Sequence, residues 1–321
     1  MSTGIITTIA GNLSPCCTSV GSYNGDGEIA TLSTLSFPSD ICFDKNGNLY
    51  IADKANYRVR KVDTFGVITT YAGNGTSGDG GDGGPAISAQ FVGITGLAID
   101  DTGNIYIADW DGGKIRKVNT SGIISTFAGT GSHTYSGDNI PAITANIGPV
   151  KIAFNNIGEL FIADDPNNRI RMIDVSGIIH TVAGNGNCCY GGDIGPADSA
   201  ELGQPGGIVL DACGNLYISQ IDSPRIRKVS FNPSCLPLKV PETTTTQITI
   251  YPNPATSEIY IDNLKAESNY ALFNVTGNIE QRGTLKKGNN SIAIQTIPTG
   301  IYLLELTDEE GKRTIKKIVK E

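Results

Sequence analysis

Charge is scarce in this 321-residue sequence: Asp, Glu, Lys and Arg make up 17%, against roughly 25% in an average globular chain. The two methionines, two histidines and single tryptophan are also few. Two histidines cannot build a multi-histidine zinc centre. No Gly-x-Ser-x-Gly elbow signals a nucleophile, and no Gly-Lys-Ser/Thr follows the glycine-rich stretch Gly78–Gly84, which excludes a phosphate loop. No apolar run approaches the ~18 residues of a membrane-crossing helix. Basic residues are outnumbered, for a net charge of −8, and the deficit lies in the first 247 residues because residues 248–321 hold nine basic and nine acidic side chains. Such a surface repels phosphate backbones and excludes nucleic acid as a partner. No basic segment followed by an apolar one precedes Met1-Ser2-Thr3-Gly4, so the expectation is that an N-terminal export signal is absent from this sequence. The seven cysteines form no Cys-x-x-Cys pair; they suit an oxidising compartment and leave one thiol unmatched.

Glycine is abundant at 40 residues, well above the usual ~7%, and it falls in a repeat. Gly-Ile-Ile-Thr-Thr-Ile-Ala-Gly at 4–11 returns as Gly-Val-Ile-Thr-Thr-Tyr-Ala-Gly at 66–73. It returns again as Gly-Ile-Ile-Ser-Thr-Phe-Ala-Gly at 122–129 and Gly-Ile-Ile-His-Thr-Val-Ala-Gly at 177–184, in steps of 62, 56 and 55 residues. Between copies stands a second phrase. It opens with Ile41-Cys42-Phe43-Asp44, turns through Lys45-Asn46-Gly47-Asn48, and continues as Leu49-Tyr50-Ile51-Ala52-Asp53 and Arg58-Val59-Arg60-Lys61-Val62. It recurs at 97–118, 152–173 and 208–229. Each unit thus reads as short strands a, b, c and d joined by glycine turns, and a period near 55 residues selects a β-propeller over a sandwich. The fold class expected is all-β: a four-unit propeller, or a fragment of a larger ring, followed by a small antiparallel β-sandwich. The first strand d (residues 4–10) has no a–b–c set before it here, and the last a–b–c set has no strand d after it. The simplest expectation pairs them and closes a ring of four blades; the alternative is an open arc.

Gly96-Leu-Ala-Ile-Asp-x-x-Gly-Asn-Ile-Tyr-Ile-Ala-Asp109, followed by Lys114-Ile-Arg-Lys-Val118, resembles the NHL repeat. All four units match, over about residues 1–231. The resemblance implies a propeller that serves as a binding platform or, in other relatives, as a lyase or lactonase.

Residues 232–247 read as a linker rich in proline and threonine. From Ile248 alternating strands resume, at 248–251, 258–261, 270–274, 291–294, 301–306 and 313–319, which points to a small antiparallel sandwich over 248–321. Its phrases are Tyr251-Pro252-Asn253-Pro254-Ala255, Phe273-Asn-Val-Thr-Gly277, Gly300-Ile301-Tyr302-Leu303 and Lys316-Lys317-Ile318-Val319-Lys320. They resemble the C-terminal sorting domain of the type IX secretion system. That resemblance implies a Bacteroidetes-type bacterium, handling of 248–321 by the type IX machinery, and a secreted or outer-surface location.

Alternating strand directions put the b–c loops and the long d-to-a connectors at one end of the blades. Connectors of over twenty residues are longer than a compact domain normally carries, so that end is the expected binding face. Its candidates are Asp53, Asp109, Asp164 and Gln220 closing strand b, the connector residues Asp26, Asp82, Asp138 and Asp193, and Tyr23, Tyr135 and Tyr190 three residues before their Asp. Trp110 follows Asp109. Acidic groups beside aromatics suit a protein, peptide or glycan ligand. For calcium, Asp79 and Asp82 in Ser77–Pro85 are the best hard ligands; no other cofactor is expected. The structural alternatives are ion pairs across the b–c hairpin (Asp53/Arg58, Asp109/Lys114, Asp164/Arg169), loop hydrogen bonds at the connector Asp residues, and packing of Arg60, Arg116, Arg171 and Arg227 between blades. His180 reads as an edge residue of strand d. A disulfide is expected between Cys213 in the last a–b turn and Cys235 after the last strand c; Cys42 reads as a buried small hydrophobe, and the pairing of Cys16, Cys17, Cys188 and Cys189 is open. The functional expectation is a secreted or cell-surface binding or adhesion propeller with no catalytic residue, the alternative being a lactonase-like hydrolase or lyase using a carboxylate-bound metal.

Overall fold

A computed structural model describes residues 4–12, 23–231, 248–274, 278–308 and 313–321. The chain forms two compact units, Met1–Leu238 and Lys239–Glu321. The expected linker, residues 232–247, lies outside the described residues.

In the first unit, blade 1 is the antiparallel sheet of β1 (Glu28–Ile29), β2 (Pro38–Phe43), β3 (Leu49–Asp53), β4 (Arg58–Val62) and β5 (Val67–Ala72), in the order β1-β5-β4-β3-β2. Blade 2 holds β6 (Ile94–Ile99), β7 (Ile105–Asp109), β8 (Lys114–Val118) and β9 (Ile124–Ala128). Blade 3 holds β10 (Ile140–Pro141), β11 (Pro149–Phe154), β12 (Leu160–Asp164), β13 (Arg169–Ile173) and β14 (Ile178–Ala183). Then come a short pair, β15 (Tyr190–Gly191) with β16 (Glu201–Leu202), and blade 4, made of β17 (Pro205–Leu210), β18 (Leu216–Gln220) and β19 (Arg225–Val229).

The turns follow from sequence chemistry. Asp44 Oδ1 accepts the N–H groups of Asn46 and Asn48 at 2.9 and 2.8 Å, with Gly47 at φ +84°; Asp100 and Asp211 repeat this Asx turn. Strands β3, β7 and β12 are buried at every residue: neighbouring blades cover both faces of β7 and β12, while on β3 blade 2 covers one face and Ala10, Ala30 and Leu35 pack on the other. Accordingly the apolar clusters lie between blades: Tyr50, Ala52 and Val59 of blade 1 pack with Leu97, Ile105 and Ile124 of blade 2. Blades 2 and 3, and blades 3 and 4, share clusters of the same kind.

The inner strands β2, β6, β11 and β17 touch in succession. Asp40 of β2 accepts the Leu97 N–H at 2.7 Å and ion-pairs with Lys151 of β11, so three blades converge on one hub. Gly96 sits beside that pair, where a Cβ would come within 3.0 Å of the Val150 carbonyl oxygen.

The expected four-blade closure is not formed. Residues 4–9 adopt no strand, and among the described residues β19 pairs with β18 alone. The packing that satisfies the inter-blade clusters leaves the turn incomplete after four sheets, and the blades form an open arc.

The connectors also differ from free loops. The first three run along the outer edge of their blades before the chain enters the inner strand. Glu28 and Ile29 pair with β5, and Ile140 and Pro141 pair with β14; in blade 2, Gly83 N–H donates to the Ile124 carbonyl at 2.8 Å. A 3-10 turn follows, at Ala30–Leu32, Ala86–Ser88, Ala142–Thr144 and Ala197–Ser199. The length is therefore used in covering a strand edge.

The second unit has two sheets. One is β20 (Thr249–Tyr251), β21 (Glu258–Leu264) and β24 (Gly288–Ala293). The other is β22 (Ser268–Asn274), β23 (Ile279–Leu285), β25 (Gly300–Asp308) and β26 (Arg313–Lys320). Ile259, Ile261, Leu272, Ile292, Leu304 and Ile318 form one core. Strand β23 was not legible: Ile-Glu-Gln-Arg-Gly-Thr-Leu lacks alternation, and its pairing to β22 carries it.

Candidate functional site

The strand-b carboxylates point into the blades. Asp53, Asp109 and Asp164 are fully buried. Asp53 accepts the Ser36 N–H at 2.6 Å and the Asn56 amide at 2.7 Å; Asp109 accepts the Gly93 N–H at 2.6 Å and the Val92 N–H at 3.1 Å. Asp164 accepts the Gly148 N–H at 2.8 Å and the Asn167 amide at 2.8 Å. Each thus holds the incoming connector to the b–c loop. Burial pushes all three carboxyls above the usual range, against the pull of these bonds and of a nearby arginine. Gln220, at the fourth position, donates weakly to the Cys189 carbonyl at 3.4 Å.

The expected hairpin ion pairs take other partners. Arg58 and Arg169 donate to loop carbonyls, of Asn56 and Asn74 and of Asn167 and Asn185. Lys114 reaches Asp79 at 2.7 Å, and the strand-b carboxylates lie instead near Arg60 at 3.9 Å and Arg171 at 3.6 Å.

A second repeated device fixes the connectors. Arg60, Arg116 and Arg171 are completely buried. They pair with Asp26 at 3.0 Å, Asp82 at 2.6 Å and Asp138 at 2.9 Å, and Arg227 pairs with Asp193 at 2.6 Å. Tyr23, Tyr135 and Tyr190 lie under Arg58, Arg169 and Arg225, with 3.8, 3.9 and 4.0 Å from guanidinium to ring centre. Tyr135 and Tyr190 also donate to Asp138 and Asp193. Burial raises the Asp82 carboxyl, but bonds from Thr126 and Arg116 outweigh it and hold the group below the ordinary value. Asp79 and Asp82, the expected calcium ligands, each hold a cationic side chain. Among the described residues no three His, Cys, Asp or Glu side chains stand close enough to hold a metal.

What remains variable is the residue after the strand-b carboxylate. It reads Lys54, Trp110, Asp165 and Ile221 in successive blades, and in the first three its carbonyl accepts the N–H of a residue at positive φ, Tyr57, Gly113 or Asn168. Lys54 Nζ lies 5.9 Å from the Trp110 ring centre. His133 Nε2 lies 2.7 Å from the Trp110 carbonyl oxygen, and its ring is 6.0 Å from the indole. Trp110 Nε1 and Asp165 Oδ1 are buried and have no hydrogen-bond partner among the described residues. Sequence reasoning found Trp110 but missed Lys54, Asp165 and Ile221; lining up the units by their strand-b ends is the signal that would have found them. His180 is not a bare edge residue: its ring nitrogens lie 3.0 Å from Asn139 Oδ1 and from Asp174 Oδ2.

Cys213 is disulfide-bonded; Cys235, its expected partner, lies outside the described residues, as do Cys16 and Cys17. Cys42, Cys188 and Cys189 are free, and burial pushes the Cys42 thiol up to about 12. In the second unit the expected sorting phrases meet. Asn253 donates to the Lys317 carbonyl and accepts the Val319 N–H, both at 2.8 Å. The cis bonds Tyr251-Pro252 and Asn253-Pro254 flank it. The Tyr251 hydroxyl donates to Asp262. Gly300 and Ile301 pair with Lys320 and Val319, and buried Tyr302 donates to the Pro298 carbonyl at 2.7 Å. Lys316 and Lys317 are exposed.

Three family models match: a secretion system C-terminal sorting domain over residues 249–321, a teneurin NHL domain over 74–142 and the NHL repeat over 35–62. Mouse teneurin-3 is 27% identical over 304 residues, covering 84% of this chain and 10% of that protein. Human teneurin-4 is 27% identical, covering 93% and 10%. The chain thus spans about a tenth of the length of these relatives. Among solved structures, a virginiamycin B lyase from Staphylococcus aureus is similar at 13% identity and TM-score 0.37, over 87% of this chain and 83% of that one. PorZ, a surface component of the type IX secretion system of Porphyromonas gingivalis, is similar at 12% and 0.36, over 93% and 53%. With its repeats and its terminal domain both matched, the chain is an NHL-repeat β-propeller protein carrying a type IX secretion C-terminal sorting domain.

Proposed function

We propose that this secreted or surface-displayed protein is a binding protein, and that its ligand contacts the hub-end row Lys54, Trp110, Asp165 and Ile221. One observation carries the reading: positions repeated in the blades are consumed in holding loops, while this row, one residue past each strand-b end, changes its chemistry from blade to blade. A cation, an indole, a carboxylate and an aliphatic group suit a peptide or a glycan. The carboxylates a metal-dependent hydrolase would recruit, Asp53, Asp109 and Asp164, already accept backbone N–H groups. Trp110 is the sole tryptophan, so intrinsic fluorescence reads the row directly. Hits from a peptide and glycan array are expected to shift Trp110 emission, and Trp110→Ala is expected to weaken them at least tenfold with unchanged melting. Hits bound equally well by Trp110→Ala would refute the assignment.

A further inference from the structure

Among the described residues blade 4 has no outer strand, and a cleft lies along the edge where the other blades carry theirs. A cleft of about 270 Å³ lies between the connector residues Asp193–Ala197 and the edge of β19, lined also by Ala200, Leu202, Ile218 and Ile226. In the other blades strand d fills this place and its second isoleucine is buried: Ile68, Ile124 and Ile179 are each 0% exposed. The β19 residue beneath is uncovered to match. Ile226 is 71% exposed, whereas its counterparts Val59, Ile115 and Ile170 are 0% exposed. The connector edge is open too: Gly27, Gly83 and Asn139 donate their N–H groups to Ile68, Ile124 and Ile179, and no strand lies opposite their counterpart Ile194 among the described residues.

The chain also carries a strand d without a sheet. Residues 4–10, Gly-Ile-Ile-Thr-Thr-Ile-Ala, repeat the phrase of the three strands in place, yet Ile6 is 98% exposed. The segment is anchored as an outer strand is at a blade junction: Gly11 and Asn12 donate to the Ala30 and Ser33 carbonyls, as Gly73 and Asn74 donate to Ala86 and Ala89. It therefore projects from the first blade toward the place of a preceding one, and it does not reach the chain's own β19.

We infer that the cleft takes residues 4–10 of a second copy of this chain, added antiparallel to β19, with Ile6 filling the cleft and Ala10 over Ile226. The register follows from β4 and β5, where Val59 faces Ala72, Lys61 faces Thr69 and Val62 faces Ile68: Val229 faces Ile6 and Lys228 faces Thr7. Main-chain bonds supply the attachment and the isoleucine pocket its specificity. The contact is heterologous, because the surface that gives differs from the surface that receives.

Light scattering of the full chain tests this. The chain is expected to form a dimer or larger species, and Thr7→Pro to be monomeric with unchanged melting, because Thr7 is exposed and Pro there removes a ladder N–H. A second measurement mixes Thr7→Cys with Lys228→Cys under mild oxidation. Peptide mapping is expected to find the bond between residues 7 and 228 of different copies, and no bond when Ile226→Cys replaces Lys228→Cys. A wild-type chain that stays monomeric at every concentration tested overturns the inference. So does a double variant, Thr7→Cys with Lys228→Cys, that cross-links only within one chain.

Discussion

Replacing Arg116 by methionine tests whether the connectors are clamped or merely long. Arg116 Nε and Nη2 donate to Asp82 Oδ1 at 3.2 and 2.6 Å, and the guanidinium also reaches the carbonyls of Asp79, Gly80 and Gln90 at 3.3–3.4 Å. Breaking a buried pair by removing one partner costs about 3–5 kcal/mol. The Asp82 side chain is 46% exposed and keeps its bonds from Thr126, so water takes over part of the loss and the cost falls below that range, to about 2–3 kcal/mol. For a unit of this size that lowers the melting temperature by roughly 5–10 °C. Arg227→Met removes the equivalent residue in the blade without an outer strand. Its side chain is 11% exposed and its partner Asp193 51%, so about 1 kcal/mol is expected. Calorimetry of both variants decides. A neutral or stabilising Arg116→Met, or a larger loss at Arg227, would refute the clamp.

Gly73→Ala is expected to destabilise by more than 3 kcal/mol on chemical denaturation, since Gly73 has φ +94° and a Cβ there would stand 2.2 Å from the Tyr57 carbonyl oxygen; Gly66→Ala, strained in φ but with open space around it, is expected to cost about 1 kcal/mol. The Asp82 carboxyl is held below the ordinary carboxylate value, so its contribution is complete above that value and lost as pH falls through the lowered folded one. Amide exchange at Gly83 is accordingly expected to speed up only below about pH 4, and a change already at pH 6 would point to another group. Peptide mapping without reductant is expected to join Cys213 to Cys235; a bond from Cys213 to Cys16 or Cys17 would contradict the sequence-based pairing.

Much of this was legible in the letters because it recurs. The four units, the Asx turns at Asp44, Asp100 and Asp211, and the buried Arg60, Arg116 and Arg171 are repeated chemistry, and repetition marks what every blade needs. The closing partner of residues 4–10 was not legible, because it depends on the angle between packed sheets rather than on the residues of any one strand. The role of the connectors was hidden for a related reason: Glu28-Ile29 and Ile140-Pro141 are two-residue strands, too short for any periodicity. Asp53 and Arg58 face each other across β3 and β4, which suggests an ion pair, but the carboxylate turns to the Ser36 N–H and the guanidinium to loop carbonyls. That outcome follows from backbone donors which a sequence does not display.

Hydrogen exchange at the connector amides tests the central claim most directly, that the long links are edge strands of the blades and leave the hub-end row as the free surface. Gly27, Gly83 and Asn139 donate to Ile68, Ile124 and Ile179 at 2.9, 2.8 and 2.9 Å. The account predicts that these three amides exchange at least a hundredfold more slowly than Lys45 and Asp101 in the exposed turns. Equal, fast exchange at all five would show the connectors to be open loops and contradict it.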